Sequence, residues 1–230
     1  MSARGYTIDP ETLLRAYRLG FFPMAETRES TKLHFLDPEQ RGVLPLDGFH
    51  LTRRLARTAR RTALRVTADA DFPRLIALCA QPRPERPETW INREIERLFC
   101  TLAAMGHAHS IEVWEGDRLV GGLYGLAIGG AFFGESMVSL VRDASKLALV
   151  HLVARLRLGG FLLLDTQFLT SHLSSFGALE IARADYRAQL VVAVERAACW
   201  LAAPSAPELE AEMIMLRRLS QQREPEMERI

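Results

Sequence analysis

The sequence predicts an α+β fold built on a mixed sheet, and three observations predict it. Apolar runs at Ser110–Trp114, Arg118–Ile128 and Ala131–Met137 are separated by the turns Glu115-Gly116-Asp117 and Gly129-Gly130, which is the pattern of an antiparallel meander. Asp143–Leu158 reads as a helix that is apolar on most faces and is stopped by Gly159-Gly160. It leads into Phe161–Thr166, a short and nearly all-apolar strand, as a crossover packed on a sheet would.

The first element is a helix over residues 10–19. Asp9 caps it, Pro10 suits the first helical position, Leu13, Leu14 and Tyr17 recur at helical spacing, and Gly20 closes it. From Phe21 to Asp47 the chain is rich in Pro, Asp and Gly without sustained periodicity, which predicts a small, loop-rich N-terminal unit over residues 1–62. Residues 51–62 form a helix with one apolar face and one basic face. At about 100° per residue, Arg53, Arg54, Arg57, Arg60 and Arg61 share an arc of roughly 120° with no acid inside the segment. Leu64–Ala68 reads as a strand, Phe72–Cys79 and Asn92–Met105 as helices, the second ended by Gly106. After the meander and crossover, Ala184–Leu201 is helical. Ser205-Ala206-Pro207-Glu208 then spells a capping box before an amphipathic segment to about Arg223. The division expected is 1–62, a main domain over 63–203, and a helical tail over 204–230.

Composition narrows the class of protein. Of 230 residues, 48% are hydrophobic and 25% charged, which argues against disordered, collagenous and disulfide-scaffold chains. Apolar stretches are interrupted by His151, Arg155 or Asp165 short of the roughly 18 residues that a membrane span needs, and Met1–Pro10 has no secretory pattern. A cytoplasmic protein is expected. Cys79, Cys100 and Cys199 are odd in number and without paired spacing, so buried thiols are expected rather than disulfides or a zinc site. The net charge is only +1, so any footprint for nucleic acid must be local. Lys32 and Lys146 are the only lysines among 29 basic residues.

Asp165 is the sharpest candidate for chemistry. It ends an apolar run, where an ionised carboxylate is costly unless paired or working, and Gln167 shares its face of the strand. A structural carboxylate capping the next loop is the competing reading. Glu135 ends another apolar strand beside Gly134, which would let a ligand approach closely; alternatively it is a surface carboxylate at an edge. Trp90, in a loop before a helix, can stack on a base or staple that helix. The arginine face at 53–61 is a phosphate-contacting ridge or an ordinary solvated face. His107, His109 and His172 lack ligand spacing, so no metal is expected, and His151 reads as a packed histidine. Ser171, Ser174 and Ser175 lack a glycine-flanked nucleophile elbow, and no Walker or dinucleotide fingerprint occurs. Ridge and Trp90 alone leave a non-enzymatic RNA-binding module open.

Taken in order, the motifs resemble a known family. They are Leu13-Leu14-Arg15-Ala16-Tyr17 with Gly20-Phe21-Phe22-Pro23-Met24, Arg41-Gly42-Val43-Leu44, Trp90-Ile91, His109-Ser110, Glu112-Val113-Trp114, and Leu119 to Gly125. Phe133 to Met137, Ala144-Ser145-Lys146, Asp165-Thr166-Gln167 and Gly177-Ala178 complete the set. Over roughly residues 6–190 this set is similar to the leucyl/phenylalanyl-tRNA–protein transferases, and the tail after about Pro204 lies outside it.

The resemblance implies a small N-terminal domain joined to an acetyltransferase-like (GNAT) mixed-sheet domain. It implies an aminoacyltransferase that moves Leu or Phe, less well Met, from aminoacyl-tRNA to proteins beginning with Arg or Lys. The product is an N-degron passed to an adaptor and the Clp protease. By the same resemblance Asp165 and Gln167 are catalytic, Glu135 binds the amino acid, and Trp90 lies on the adenine side of the terminal adenosine. Leu123, Phe132, Gly134, Leu156 and Leu164 form the apolar pocket. Where the family commonly has Trp-Trp or His-Trp near that adenosine, this chain has His34-Phe35, so Phe35 offers a smaller stacking face. No cofactor is implied. Coenzyme A binding would need a Gln/Arg-x-x-Gly-x-Gly/Ala loop after Met137, where the chain reads Val138-Ser139-Leu140-Val141-Arg142-Asp143.

Overall fold

The computed structural model describes residues 8–84 and 87–227. Helix α1 (Pro10–Arg18) starts where Asp9 accepts a hydrogen bond from the Thr12 amide, and Gly20 follows it at φ +92°. The stretch expected to be loop contains three short strands, β1 (Phe22–Met24), β2 (His34–Leu36) and β3 (Gln40–Val43). Strands of three or four residues are too short to show an alternation of their own. The pairing comes from elsewhere: β1 and β2 form a two-stranded ribbon, and β3 is inserted into the large sheet.

The remaining elements are α2 (Arg53–Arg61), β4 (Arg65–Ala68), α3 (Phe72–Cys79), α4 (Arg93–Ala104), β5 (Ala108–Glu115), β6 (Arg118–Ile128) and β7 (Ala131–Ser139). They are followed by α5 (Ala144–Leu158), β8 (Leu163–Gln167), α6 (Ser171–Ser174), β9 (Leu179–Ala182), α7 (Arg183–Glu195) and α8 (Ala206–Met227). The α+β class and the meander are as the sequence predicts. The seven-stranded sheet runs β4-β5-β6-β7-β8-β3-β9, and every neighbour is antiparallel except the parallel pair β7 and β8, which α5 connects.

Four differences from the sequence reading have physical causes. Strand β8 starts at Leu163, and Leu162 before it is 51% exposed, so the apolar run is not buried on both sides throughout. Helix α7 ends at Glu195 rather than Leu201, because the chain beyond it is drawn back onto the domain. The Cys199 amide donates to the Gly159 carbonyl at 3.0 Å, and Trp200 stacks on His109 and Phe132 while its indole N–H donates to Asp69. Cys199 is exposed and Cys100 half-buried, so only Cys79 is the buried thiol expected of all three. Strand β9 and the one-turn helix α6 are too short to be read from the sequence.

Side chains alternate across the sheet, so successive residues feed two separate cores. Tyr124 and Phe133 face the core under α1, α3, α4 and α7, whereas Leu123 and Phe132 face the one under α5. Helix α5 has eleven buried residues because α2 and α8 cover its outer side. The tail is thus part of the fold. Leu216 and Ser220 of α8 are fully buried, and Ser220 Oγ accepts from the Leu51 amide at 2.8 Å. The expected capping box forms, with Ser205 donating to Glu208 and the Glu208 amide donating back to Ser205 Oγ. The proposed N-terminal unit, 1–62, gives Leu13, Leu14 and Tyr17 to the first core and β3 to the large sheet. Its residues 1–7, and residues 228–230 of the tail, lie outside the described residues. Among the described residues no helix is long and apolar enough to cross a membrane.

Candidate active site

The parallel strands β7 and β8 stay paired only as far as Phe133 opposite Asp165. Beyond that point they part, and a cavity of about 450 Å³ opens between Gly134-Glu135 on one side and Thr166-Gln167 on the other. Both lips are irregular. On β7, Gly134 pairs with Gly125 and Ser136 with Tyr124, which leaves Glu135 as the extra residue of a β-bulge. On β8, Asp165 pairs with Val43 and Gln167 with Gly42, so Thr166 is the extra residue there. Bulges re-aim side chains, and these two turn Glu135 and Thr166 out of the regular alternation. Gln167 ends the strand at φ +58°, an uncommon conformation for a residue with a side chain, and its amide donates to Asp165 Oδ1 at 2.8 Å. Gly42 permits the crossing: a Cβ there would lie 2.6 Å from the Phe168 backbone carbonyl carbon.

The floor of the cavity is apolar, formed by Leu123, Met137, Leu149, Leu152 and Leu164; Phe22 and Met24 of β1, with Trp90, line its rim. Polar atoms converge on it. Glu135, Thr166, Gln167 and His172 line it, and Thr166 Oγ1, Gln167 Nε2 and His172 Nε2 are buried without a hydrogen-bond partner among the described residues. Buried polar atoms are ordinarily satisfied, so three orphans around one cavity mark it as a place where a ligand supplies the partners.

Behind the cavity lies a dry ionic network. Arg41 donates from Nε and Nη2 to both oxygens of Asp165, at 2.9 and 2.7 Å for its shortest bonds, and from Nη1 to the Gly20 carbonyl. Its guanidinium lies between the rings of Phe22 and Tyr186, 4.4 and 4.5 Å from their centroids. The Tyr186 hydroxyl also donates to Asp165, at 2.6 Å. Burial opposes the Arg41 charge, but Asp165 outweighs it and leaves the guanidinium pKa raised. Burial and the Asp165 charge hold the Tyr186 phenol far above its ordinary range. Glu135 is held from the other side by the Tyr17 hydroxyl at 2.7 Å. Burial pushes its carboxyl up to about 8, the Asp165 charge adding to the rise while Tyr17 and Arg41 oppose it. Burial lowers the His172 pKa, helped by Lys146.

The structure brings together most of the residues singled out in the sequence. Glu135, Gln167, Trp90, Leu123, Gly134 and Leu164 line the cavity. Asp165 does not; it is 0% exposed and lies behind Gln167. Phe132 and Leu156 are corrections to the expected pocket, since both are fully buried in the core under the sheet. Phe132 packs against Phe161 and Trp200, and the cavity wall on α5 is made by Leu149 and Leu152, one to two turns before Leu156. Phe35 is 38% exposed on the β1–β2 ribbon, opposite Pro23, and does not line the cavity. His151 is half-buried on α5, with its pKa lowered to about 3 by burial and Arg155.

The arginine face divides. Arg53, Arg57, Arg60 and Arg61 line a cleft against α8, whereas Arg54, at the edge of the arc, turns to Asp143 at 3.3 Å. The face is also less bare than the segment alone suggests, because Arg60 meets Glu210 of α8. Among the described residues no group of three or more His, Cys, Asp or Glu is placed to hold a metal ion.

Three residues of the network, Tyr17, Arg41 and Tyr186, are not marked as functional by the sequence pattern. Tyr17 reads as one of three apolar residues on α1, yet a tyrosine on a fully buried face needs a partner for its hydroxyl. Arg41 sits in the stretch with no periodicity. The signal for it was Asp165 itself, because a carboxylate at the end of a buried strand requires a cation somewhere in the chain.

Family models described as leucyl/phenylalanyl-tRNA protein transferase, N-terminal domain, and leucyl/phenylalanyl-tRNA protein transferase match residues 6–39 and 43–191. A protein of that name from Rhodopseudomonas palustris is 56% identical over 198 residues, 86% of this chain and 86% of its own length. One from Rhodospirillum rubrum is 58% identical over 184 residues, 80% of this chain and 86% of its own. Among solved structures, L-PGS from Bacillus licheniformis covers 95% of this chain and 73% of its own with a TM-score of 0.41 at 13% identity, too low to bear on fold or function.

Proposed function

The chain belongs to the leucyl/phenylalanyl-tRNA–protein transferase family, and from that premise we propose that its cavity receives the leucyl or phenylalanyl end of an aminoacyl-tRNA for transfer to the N-terminal amine of a protein. Met is a poorer donor, the acceptors begin with Arg or Lys, and the product is an N-degron handed to an adaptor and the Clp protease in the cytoplasm. The observation that carries this reading is the placing of Glu135. Among the described residues a single carboxyl, bulged out of β7, stands at the edge of a cavity of about 450 Å³ whose floor is apolar.

The chemistry required is modest. The acceptor amine attacks the ester carbonyl carbon, the new C–N bond forms, the bond from that carbon to the ribose oxygen breaks, and one proton passes from the amine to the departing oxygen. The ester is already activated, so holding the two substrates together supplies most of the acceleration. In this reading the Leu or Phe side chain fills the space over Leu149, Leu152 and Leu164, and Glu135 takes the α-ammonium. Trp90, and more weakly Phe35, stack on the terminal adenine. Gln167 directs its free amide group at the reacting ester and amine. Asp165 is a positioning residue. Its oxygens are engaged by Arg41, Tyr186 and the Gln167 amide, so it acts on the amine only through Gln167.

The test is transfer of radiolabelled leucine and phenylalanine from charged tRNA to a peptide beginning with Arg, beside one beginning with Ala. Label on the Arg peptide alone supports the reading. TRNA binding without label on either peptide refutes it in favour of a binding module.

A further inference from the structure

The transfer proposed above leaves one step without an agent. A proton has to leave the attacking amine and reach the departing ribose oxygen, and Asp165 lies behind Gln167, away from the cavity wall. Among the described residues that line the cavity, two side chains titrate within reach of neutral pH, Glu135 of β7 and His172 of α6. Glu135 is bonded to Tyr17 and, in the transfer reading, is taken by the donor's α-ammonium. His172 is the group that is left.

The fold turns this imidazole to the cavity and holds it there. Helix α6 starts where Thr170 Oγ1 accepts from the Leu173 amide at 3.2 Å, and Leu173 anchors the turn in the core. Ser175 Oγ donates to the His172 carbonyl at 2.7 Å, and the ring stands edge-on to Phe176, with centroids 5.3 Å apart. His172 Nε2 is buried without a partner among the described residues, on the segment that follows the orphaned Thr166 Oγ1 and Gln167 Nε2. The amide nitrogen of a glutamine only donates, whereas an imidazole nitrogen can take up a proton. The surroundings keep it able to do so. Burial, and then the ammonium of Lys146 on α5, lower the His172 pKa from its ordinary 6.5, and Lys146 is itself tied to Asp143 at 3.4 Å. The other ionisable groups on the described cavity wall are the Glu135 carboxyl of β7 and the Tyr124 phenol of β6, and behind the β8 lip lies the pair of Asp165 and Arg41. A neutral imidazole with an unused nitrogen turned to ligand space has the properties of a base.

We propose that His172 is the proton carrier of the transfer, its Nε2 taking a proton from the attacking amine and delivering it to the departing ribose oxygen. The acceptor enters as its free amine, a form available because N-terminal amines have a pKa near 8. Its lone pair forms the new C–N bond to the ester carbonyl carbon while one N–H proton moves to Nε2. When the bond from that carbon to the ribose oxygen breaks, the oxygen takes the proton from Nε2, and the imidazole ends neutral with a hydrogen on Nδ1 throughout. The inference rests on the transfer reading and deepens it by giving its proton a path.

The experiment measures single-turnover transfer from saturating leucyl-tRNA to the Arg-initiated peptide between pH 4.5 and pH 9 in wild type, His172→Gln and His172→Ala. Both variants should lose roughly 10²- to 10⁴-fold in rate. Their affinity for leucyl-adenosine, which carries the same ester on a free nucleoside, should stay within about three-fold, because the loss is in the chemical step. The logarithm of kcat/KM for the peptide should fall with a slope of about one below pH 8 in all three proteins, as the free amine is used up. In wild type the slope should steepen to about two below the lowered His172 pKa, and in the variants it should stay near one. Added imidazole should restore His172→Ala about ten-fold or more at pH 7.5 and leave His172→Gln, whose amide fills the space, unmoved. A loss below about three-fold in His172→Gln, or profiles of one shape in wild type and variants, overturns the proposal. If His172→Ala loses donor binding, His172→Gln decides by the same criteria. Wild-type protein that transfers no label at any pH refutes the transfer reading instead.

Discussion

Arg41 and Asp165 meet fork to carboxylate, Nη2 lying 2.7 Å from Oδ2, with side chains 1% and 0% exposed. The pair joins the N-terminal segment to β8 across 124 residues of sequence, and the residue that ends the strand at the cavity, Gln167, hangs from the same carboxylate. Stability and site geometry therefore share one contact.

Removing one partner strands the other charge in a dry interior. Arg41→Ala should cost about 3–5 kcal/mol of unfolding free energy, read by denaturant titration. Arg41→Lys should recover little, because an ammonium cannot donate two parallel bonds to Asp165 and one to Gly20 in the same plane. A loss below about 1 kcal/mol for Arg41→Ala would show the pair to be solvated.

Glu135 should make stability depend on pH. Its folded pKa is raised from an ordinary 4.5 to about 8. Below pH 4.5 both folded and unfolded chains carry the proton; between 4.5 and 8 only the folded chain keeps it, so stability falls as pH rises through that window and levels off above it. Glu135→Gln removes this component, and its Tm relative to wild type should therefore climb from pH 5 to pH 9. If the two proteins keep a constant Tm difference, Glu135 titrates normally.

The same carboxyl predicts a proton released on donor binding. At pH 6.5 Glu135 is protonated in the free protein, and an arriving α-ammonium favours its ionised form. Calorimetric titration with leucyl-adenosine in buffers of different ionisation enthalpy should report release of up to about one proton in wild type. Glu135→Gln should release none and bind more weakly.

Two glycines on opposite lips should respond differently to enlargement. A Cβ at Gly134 would sit 3.6 Å from the Asp165 carbonyl, ordinary contact, whereas at Gly42 it would lie 2.6 Å from the backbone of Phe168. Gly42→Ala should thus destabilise by about 1–3 kcal/mol. Gly134→Val should fold, fill part of the cavity, and reduce transfer of phenylalanine more than of leucine, by roughly ten-fold or more in the ratio. An unchanged ratio would place the aminoacyl side chain elsewhere.

Trp90 lines the cavity and Phe35 does not. Trp90→Ala should raise the KM for leucyl-adenosine about ten-fold, in line with about 1–3 kcal/mol for stacking one base, and Phe35→Ala should have the smaller effect. The reverse order would move the adenine onto the β1–β2 ribbon.

Much of this protein was determined by its sequence alone. Periodicity and capping residues are local properties, so α1, α2, α3, the meander, α5 and the Ser205 capping box can be read within a few turns of chain. Asp165, Gln167 and Glu135 stand out because a carboxylate or an amide at the end of an apolar element is unusual wherever the chain goes next, and Trp90 because an indole in a polar loop is. Only the tertiary structure decided what those residues face. Nothing local to Gln40–Val43 says that it enters the sheet between β8 and β9 and brings Arg41 to Asp165, and nothing in α1 says that Tyr17 reaches Glu135. The bulges at Glu135 and Thr166 are likewise misregistrations between two strands, which a single strand cannot display. Phe132 and Leu156 look as much like pocket residues as Leu149 and Leu152 do, because hydrophobicity fixes burial but not which side of a buried wall faces the empty space.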